Sequence, residues 1–348
     1  MRILKYVIPS ALFLLAACNT STKQGKESVL PVVITEPVQF DSDDPAIWIH
    51  PTNPESSLIL GTDKEGNENG ALYVFDLTGK IDTVLKGFDR PNNVDIRQGC
   101  VFGQDTLDIA VVTERNKNRI RVMSLPDMRF IDQGGIQVFE DSPAREVMGV
   151  GLYLRPTDKQ LHAIVSRKEN PDTTDSYLYQ YLLEGDSSGQ ITGRFVRMFG
   201  RFSGTKEIEA VVVDDALGFV YYSDEGFGVR KYHADPLMGN VELASFGLQG
   251  FVDDREGISI YHTSDSTGYI LVSDQGANRF QVFRREGTHQ YLGTISVQAV
   301  SSDGSEVTHH NLSAQFPQGL FVAMSDNKTF ELYDWRHLNQ IIQSCEKE

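Results

Sequence analysis

Positive charge is scarce in this chain. Lys and Arg number 32 against 48 Asp and Glu, so its 348 residues carry a formal charge of 32 − 48 = −16. Binding to a phosphate backbone needs a basic footprint, which excludes nucleic acid as a partner. Anions would reach such a surface only through intervening metal cations. Long apolar runs are also missing. Apart from Tyr6–Ala17, about a dozen residues and too short for a mature membrane span, nothing approaches the ~18 residues of a membrane-crossing helix. No useful helical stripe occurs outside that segment and roughly the last dozen residues. Several phosphatase and metal-loop signatures are absent. Cys100 has Thr106 six residues on, so there is no Cys-x5-Arg loop. Arg336-His337 lacks the Gly-x-Arg of histidine phosphatases, and an EF-hand counted from Asp41 has Ala46 where Gly is needed. Asp41-Ser42-Asp43 mimics an Asp-x-Asp phosphatase start, but its surroundings read as all-β.

What is present begins with an address. Arg2 and Lys5 precede the apolar Tyr6–Ala17, which ends in Leu15-Ala16-Ala17-Cys18. A small-residue site followed at once by Cys resembles the bacterial lipobox, which predicts a signal peptide over 1–17, a lipidated Cys18 and a polar tether over 18–30. The expectation is an exported, membrane-anchored lipoprotein, periplasmic or on the cell surface, touching the membrane only through Cys18. Hydrophobic residues make up 40% of the chain, enough for a sizeable core over 31–348.

That remainder repeats six times. Each unit has a short apolar strand b, a polar loop and an alternating strand c. Strand b ends at Leu60, Val112, Val165, Tyr222, Val272 and Ala323, with spacings of 52, 53, 57, 50 and 51. A period near fifty with several short strands per unit predicts an all-β, six-bladed β-propeller. A strand a precedes each pair, at Ala46–Ile49, Val94–Arg97, Val150–Leu154, Ala210–Val213, Gly257–Tyr261 and, more weakly, Asn311–Gln315. The sixth unit lacks a convincing strand d. Val32–Thr35 has no other home and is expected to supply it, closing the ring.

Antiparallel strands put the segment leading into a and the b–c loop on one face. The first set carries Asp43-Asp44, Asn92-Asn93 with Asp95, Arg145-Glu146, Glu207 with Glu209, Asp254 with Glu256, and Asp303 with Glu306. The second carries Asp63-Lys64-Glu65, Glu114-Arg115, Arg167-Lys168-Glu169, Asp224-Glu225, Asp274 and Asp326. Basic residues gather in units one to three, and units four to six bring mainly carboxylates. Hard oxygen ligands suit Ca²⁺, and Lys or Arg beside them would orient a phosphate. Paired metals can lower the pKa of a bridging water and neutralise phosphoryl oxygens during in-line attack. Glu209, just before Ala210-Val211-Val212-Val213, is a carboxylate at the edge of a buried strand, where an unpaired one is seldom found.

These residues resemble a known family, the β-propeller phytases. The resemblance rests on Thr35-Glu36-Pro37-Val38, Asp43-Asp44-Pro45-Ala46-Ile47-Trp48, Asn92-Asn93-Val94-Asp95-Ile96-Arg97, Arg115, Lys168-Glu169, Glu209, Asp214-Asp215, Glu225, Asp254-Arg255-Glu256-Gly257 and Gly319-Leu320-Phe321-Val322-Ala323. It implies a calcium-dependent phosphomonoesterase acting on myo-inositol hexakisphosphate (phytate) or related inositol polyphosphates, as a monomer binding several Ca²⁺ ions. It implies a catalytic calcium cluster on Glu36, Asp43, Glu209, Glu225, Asp254, Glu256 and Asp303. A structural calcium would sit on Asp44 with the carbonyls of Pro45 and Val94. Lys64, Arg115 and Lys168 would hold phosphate and, with Glu209, serve catalysis. Asp95 joins the metal candidates and Arg167 the phosphate contacts.

The sequence departs from the family at three places. Glu65 stands where a second Lys is found, Met148 where a Tyr is found, and Asp303-Gly304-Ser305-Glu306-Val307-Thr308-His309-His310 where Asp recurs. His309-His310 has no third soft ligand nearby in sequence. The alternatives are a calcium-dependent propeller lactonase, with no need for the Lys64–Arg115–Lys168 sector, and a non-enzymatic binding propeller. Cys100, placed in a bottom a–b turn, and Cys345, carried beneath the ring by a short helix over Arg336–Ile342, are candidates for a disulfide in an oxidising compartment.

Overall fold

The computed structural model describes residues 28–142, 146–168 and 175–347. The signal segment, Cys18 and most of the tether lie outside the described residues, as do Arg145 and Glu169.

Six sheets make up the ring, and strand order matches chain order in four of them; in the second, Arg129–Phe130 and Ile136–Gln137 both pair with strand c, and in the sixth the N-terminal Val33–Ile34 takes the outer place. Their inner strands a are Ser42–Trp48, Pro91–Phe102, Val147–Leu154, Val211–Asp214, Arg255–His262 and Ser305–Thr308. Strands b and c pair with them as antiparallel neighbours, for example Leu58–Asp63 with Gly70–Asp76. The chain is a six-bladed β-propeller, as the repeat period predicts. The sixth inner strand is a correction: it is Ser305–Thr308, not Asn311–Gln315. Ser-Glu-Val-Thr holds one aliphatic residue, so apolar content hides it, whereas its pairing with Leu320–Ser325 is regular.

Six apolar clusters fill the six seams between blades. Ala46, Trp48 and Leu60 of the first blade meet Val94, Ile96 and Ala110 of the second. Tyr261 and Leu271 of the fifth meet Val307 and Phe321 of the sixth. Strands facing a blade on both sides are buried throughout, like Leu161–Arg167, whereas the outermost Ile81–Phe88 is largely exposed. Core burial at ~25 cal/mol per Å² of apolar surface is therefore collected blade against blade, and no single blade is a stable unit.

The ring closes as expected. Val33–Ile34 pairs with strand c of blade six, Val33 opposite Leu332 and Ile34 opposite Glu331. Thr35 adds two bonds to Phe330, at 3.0 and 2.9 Å. Docking starts even earlier, because Val29 bridges Val297 at the outer edge of blade five.

The helix Trp335–Cys345 follows, capped by Asp334, whose carboxylate accepts from the Arg336 amide at 3.0 Å. Trp335 stacks on Tyr261 at 3.7 Å. The expected disulfide is not there. Cys100 lies within the inner strand of blade two, in the seam with blade three. Cys345 lies against Gly293 of blade five, and no disulfide joins the two. The helix packs on blade five, against Leu292, Gly293 and Ile295 of its outer strand, instead of crossing beneath the ring.

Candidate active site at the mouth of the ring

Strand parity places the charged loops on one face, and contacts between them bear this out. Lys64, from the b–c loop of blade one, donates to Asp43 at 2.8 Å and to Asp303 of blade six at 2.7 Å. Asn92, leading into blade two, donates to Asp43 and to Glu209 of blade four, each at 3.1 Å. One amide thus spans the mouth. Gln275 also donates to Asp303.

The central arrangement is a carboxylate trio. Glu209, Glu225 and Glu256 each present an oxygen, all within 4.8 Å of one another. The backbone forces this convergence. A side chain at Gly149 would collide with the carbonyl of Glu209, and one at Gly257 would stand 2.8 Å from the carbonyl of Asp303. Glycine lets blades three and five close against their neighbours at those points.

Such a grouping is costly without a cation. Burial, then the neighbouring Asp43, pushes Glu209 up to about 8. Burial and Glu207 push Glu225 up to about 7. Burial, then Glu225 and Glu209, hold Glu256 well above the carboxylate range. Asp43 is pushed up to about 6 by burial, with Lys64 pulling the other way. Burial opposes the charge of Lys64, yet Asp43 and Asp303 keep it protonated far above its ordinary value. Two buried oxygens, Glu256 Oε2 and Asn92 Oδ1, have no hydrogen-bond partner among the described residues. Unsatisfied buried acceptors beside three crowded carboxylates fit a hard, oxygen-seeking cation.

Cations flank the trio on one side. Arg115 is 5% exposed, with its Nη2 against the sulfur of Met148. Lys168 is partly exposed and pairs with Glu207 at 3.0 Å. Lys206, absent from the sequence reading, pairs with Asp253 at 2.9 Å and with Asp254. It is a lone basic residue in an acidic loop, and only the fold shows where its ammonium lands.

Several expected ligands stand apart. Glu36 is exposed, in the seam of blades one and six, and its carboxylate accepts from the Ile81 amide at 2.7 Å. It caps a turn and does not reach the mouth. Asp254 lies on the rim with Lys206, outside the trio. Asp44 and Asp95 line the central channel, a cavity of about 310 Å³ shared with Arg97, Asp215 and Glu306. Asp44 accepts from the Val94 amide at 3.0 Å. Asp95 accepts from the Ile96 and Leu152 amides at 2.6 and 2.7 Å and pairs with Arg97 at 2.9 Å. Its oxygens enter that network, away from the trio. Arg167 is likewise held in contacts of its own. It is 2% exposed, donates to Ser142 at 2.7 Å and to the Ser176 carbonyl at 3.0 Å, and packs over Phe139 and Tyr179. Its Nε is buried without a hydrogen-bond partner among the described residues.

Comparison with known proteins bears on the chemistry. A family model described as Phytase matches residues 2–344. A 3-phytase of Bacillus subtilis (strain 168) is 28% identical over 325 residues, covering 86% of this chain and 80% of that protein. Among solved structures, a calcium-binding protein, regucalcin, of Agrobacterium tumefaciens matches with a TM-score of 0.54 at 10% identity, over 88% of this chain and 94% of that one. That last likeness concerns the fold alone.

Proposed function

Because the chain belongs to the phytase family, and so is a phosphoric monoester hydrolase acting on phytate, we propose that it works with Ca²⁺ held at the mouth by Glu209, Glu225 and Glu256, with Asp43 and Asp303 beside them. The observation that carries this reading is the trio itself, whose oxygens lie within 4.8 Å of one another next to basic side chains. Bound there, Ca²⁺ would neutralise phosphoryl oxygens and activate the attacking water. Arg115 and Lys168 would take the remaining phosphoryl oxygens through charge-assisted hydrogen bonds. Asn92, bonded to Asp43 and Glu209, fixes both carboxylates before substrate arrives. Water oxygen bonds to phosphorus, the phosphorus–inositol oxygen bond breaks, and the inositol oxygen leaves with a proton.

Away from the mouth, Cys18 would carry the lipid after export, the propeller would act as a monomer, and Asp44 would support a separate structural calcium with the carbonyls of Pro45 and Val94. The test of function is phosphate release from inositol hexakisphosphate alongside turnover of simple lactones. Phosphate release without lactone turnover supports the phytase mechanism at this mouth. Lactone turnover without phosphate release would assign the mouth to lactone chemistry.

A further inference from the structure

Three imidazoles gather at the end of the central channel opposite the mouth. The inner strands of blades five and six start beside Glu256 and Asp303 and end at His262 and Thr308. About 20 Å of extended chain separates Glu256 from His262. His309 and His310 follow Thr308 directly. Neighbouring residues of a strand point to opposite faces, but this strand stops at Thr308. Both rings come to one side, with centroids 4.4 Å apart. His262 of blade five lies against His309 at 5.6 Å, the rings nearly parallel. The fold thus brings in the third soft ligand that the sequence around His309-His310 lacks.

These rings are uncommitted. No ring nitrogen of the three is hydrogen-bonded among the described residues. His50, ending the inner strand region of blade one, differs: its Nδ1 accepts from the Asn53 amide at 3.0 Å. Burial pushes His262 down to about 4 and, with the charge of His310, lowers His309. Both are therefore neutral at pH 7 and offer lone pairs, the form in which imidazole takes a metal. The three line a cavity of about 200 Å³ that Asp95, Arg97 and Glu306 also wall. Arg97 is paired with Asp95 and Asp215, and Arg285, the other cation near these rings, with Asp214. The remaining charge favours a cation.

The spacing suits one ion. In a tetrahedral site with metal–nitrogen bonds of about 2.0–2.1 Å, two imidazole centroids stand roughly 5 Å apart. The observed 4.4 and 5.6 Å bracket that separation. His309 and His310 are exposed, so their rings turn about χ2 at little packing cost and can aim one nitrogen each at a point shared with His262.

We propose that His262, His309 and His310 bind one borderline divalent cation of the Zn²⁺ class, clipping blade five to blade six at the end of the channel away from the mouth. Carboxylate oxygens suit Ca²⁺ and imidazole suits Zn²⁺, so the two ends of the ring sort metals by ligand chemistry. The clip acts on stability and takes no part in the reaction at the mouth.

The experiment titrates the calcium-loaded protein with Zn²⁺ by calorimetry and, separately, with Cu²⁺ followed by electron paramagnetic resonance. One Zn²⁺ per chain should bind and raise the melting temperature, and Cu²⁺ should show coupling to imidazole nitrogen. His309→Ala and His310→Ala change exposed residues and should fold. Each should weaken Zn²⁺ binding by more than the roughly tenfold that losing an outer-shell partner costs. His262→Ala should do the same, and the other two carry the comparison if it does not fold. Phosphate release with calcium alone should be unchanged in His309→Ala. Absence of Zn²⁺ binding in the wild type would overturn the site. So would wild-type Zn²⁺ affinity in folded His309→Ala and His310→Ala, or Zn²⁺ binding that these variants keep and Glu256→Gln loses, which would put the ion at the mouth.

Discussion

The ammonium of Lys64 lies 2.8 Å from the carboxylate of Asp43 and, on its other side, 2.7 Å from Asp303. A residue expected to hold phosphate is therefore occupied by two residues expected to hold metal. Both sets of groups draw on the same negative charge, so a cation entering at Asp43 and Asp303 would compete with Lys64 and free it for substrate.

Lys64→Met follows directly. Without the ammonium, Asp43 and Asp303 face each other unpaired, and the calcium-free protein should lose stability. The rise in melting temperature on adding calcium should be larger than in wild type, because no internal cation has to be displaced. Turnover should fall. A smaller calcium-induced rise would mean that Lys64 supports metal binding instead of competing with it.

Glu256→Gln removes one of three crowded carboxylates. The calcium-free protein should melt at or above the wild-type temperature, since a buried carboxyl that must either hold a proton or ionise unpaired is replaced by a neutral amide. Calcium at 100 times Kd would add about 2.7 kcal/mol through one site in the wild type, and most of that gain should vanish in the variant. Phosphate release should drop by about two orders of magnitude. Retained activity with a normal calcium response would remove Glu256 from the centre.

The same carboxylates set a pH dependence of unusual sign. Glu209 stands at about 8 and Glu225 at about 7, against 4.5 for an unperturbed Glu. Between those values and 4.5 the folded chain binds more protons than the unfolded chain, so their contribution to stability falls as pH rises through that window. Chelated wild type should therefore lose more stability between pH 5 and 8 than chelated Glu225→Gln, as followed by thermal melting. Calcium should shrink the difference, because the metal takes the place of the protons. An identical pH slope in both chelated proteins would contradict the shift.

Ring closure can be tested at the N-terminus. Deletion through Glu27 should leave melting unchanged. Deletion through Glu36 removes Val33–Ile34 and the Thr35 bonds to Phe330, leaves strand c of blade six as an open edge, and should lower the melting temperature by several degrees or more. Equal melting of the two truncated proteins would show that the outer strand is dispensable.

The propeller was readable because each blade buries both faces and so repeats its apolar strands at a constant spacing. Ser305–Thr308 escaped that signal, since an inner strand facing a polar channel at Glu306 needs few apolar residues. The rim was harder to read. Asp63, Glu114, Asp224 and Asp274 look like ligands in sequence, yet each ends a strand b and fastens the chain arriving from the previous blade. Asp63 accepts from the Asp41 amide at 2.7 Å, Glu114 from Asp89 at 2.9 Å, Asp224 from Ser203 at 2.8 Å and Asp274 from Val252 at 2.8 Å. Three of them also pair with an Arg of strand c: Arg119, Arg230 and Arg279. Their partners are backbone amides more than twenty residues upstream, which no local pattern reveals. Arg167 sits beside Lys168 in sequence, but strand alternation turns it away from the mouth. Trio membership was legible for Glu209, Glu225 and Glu256 through motif position, whereas Glu36, in an equally recognisable motif, folds into a turn on the outer rim.

The most direct test of the account is phosphate release from inositol hexakisphosphate by protein freed of metal with a chelator and then titrated with Ca²⁺. The account predicts negligible release in chelator and recovery of activity as calcium is restored, with Glu209→Gln failing to recover at the same calcium concentrations. Full phosphate release in the presence of chelator, or calcium-restored activity undiminished in Glu209→Gln, would contradict it.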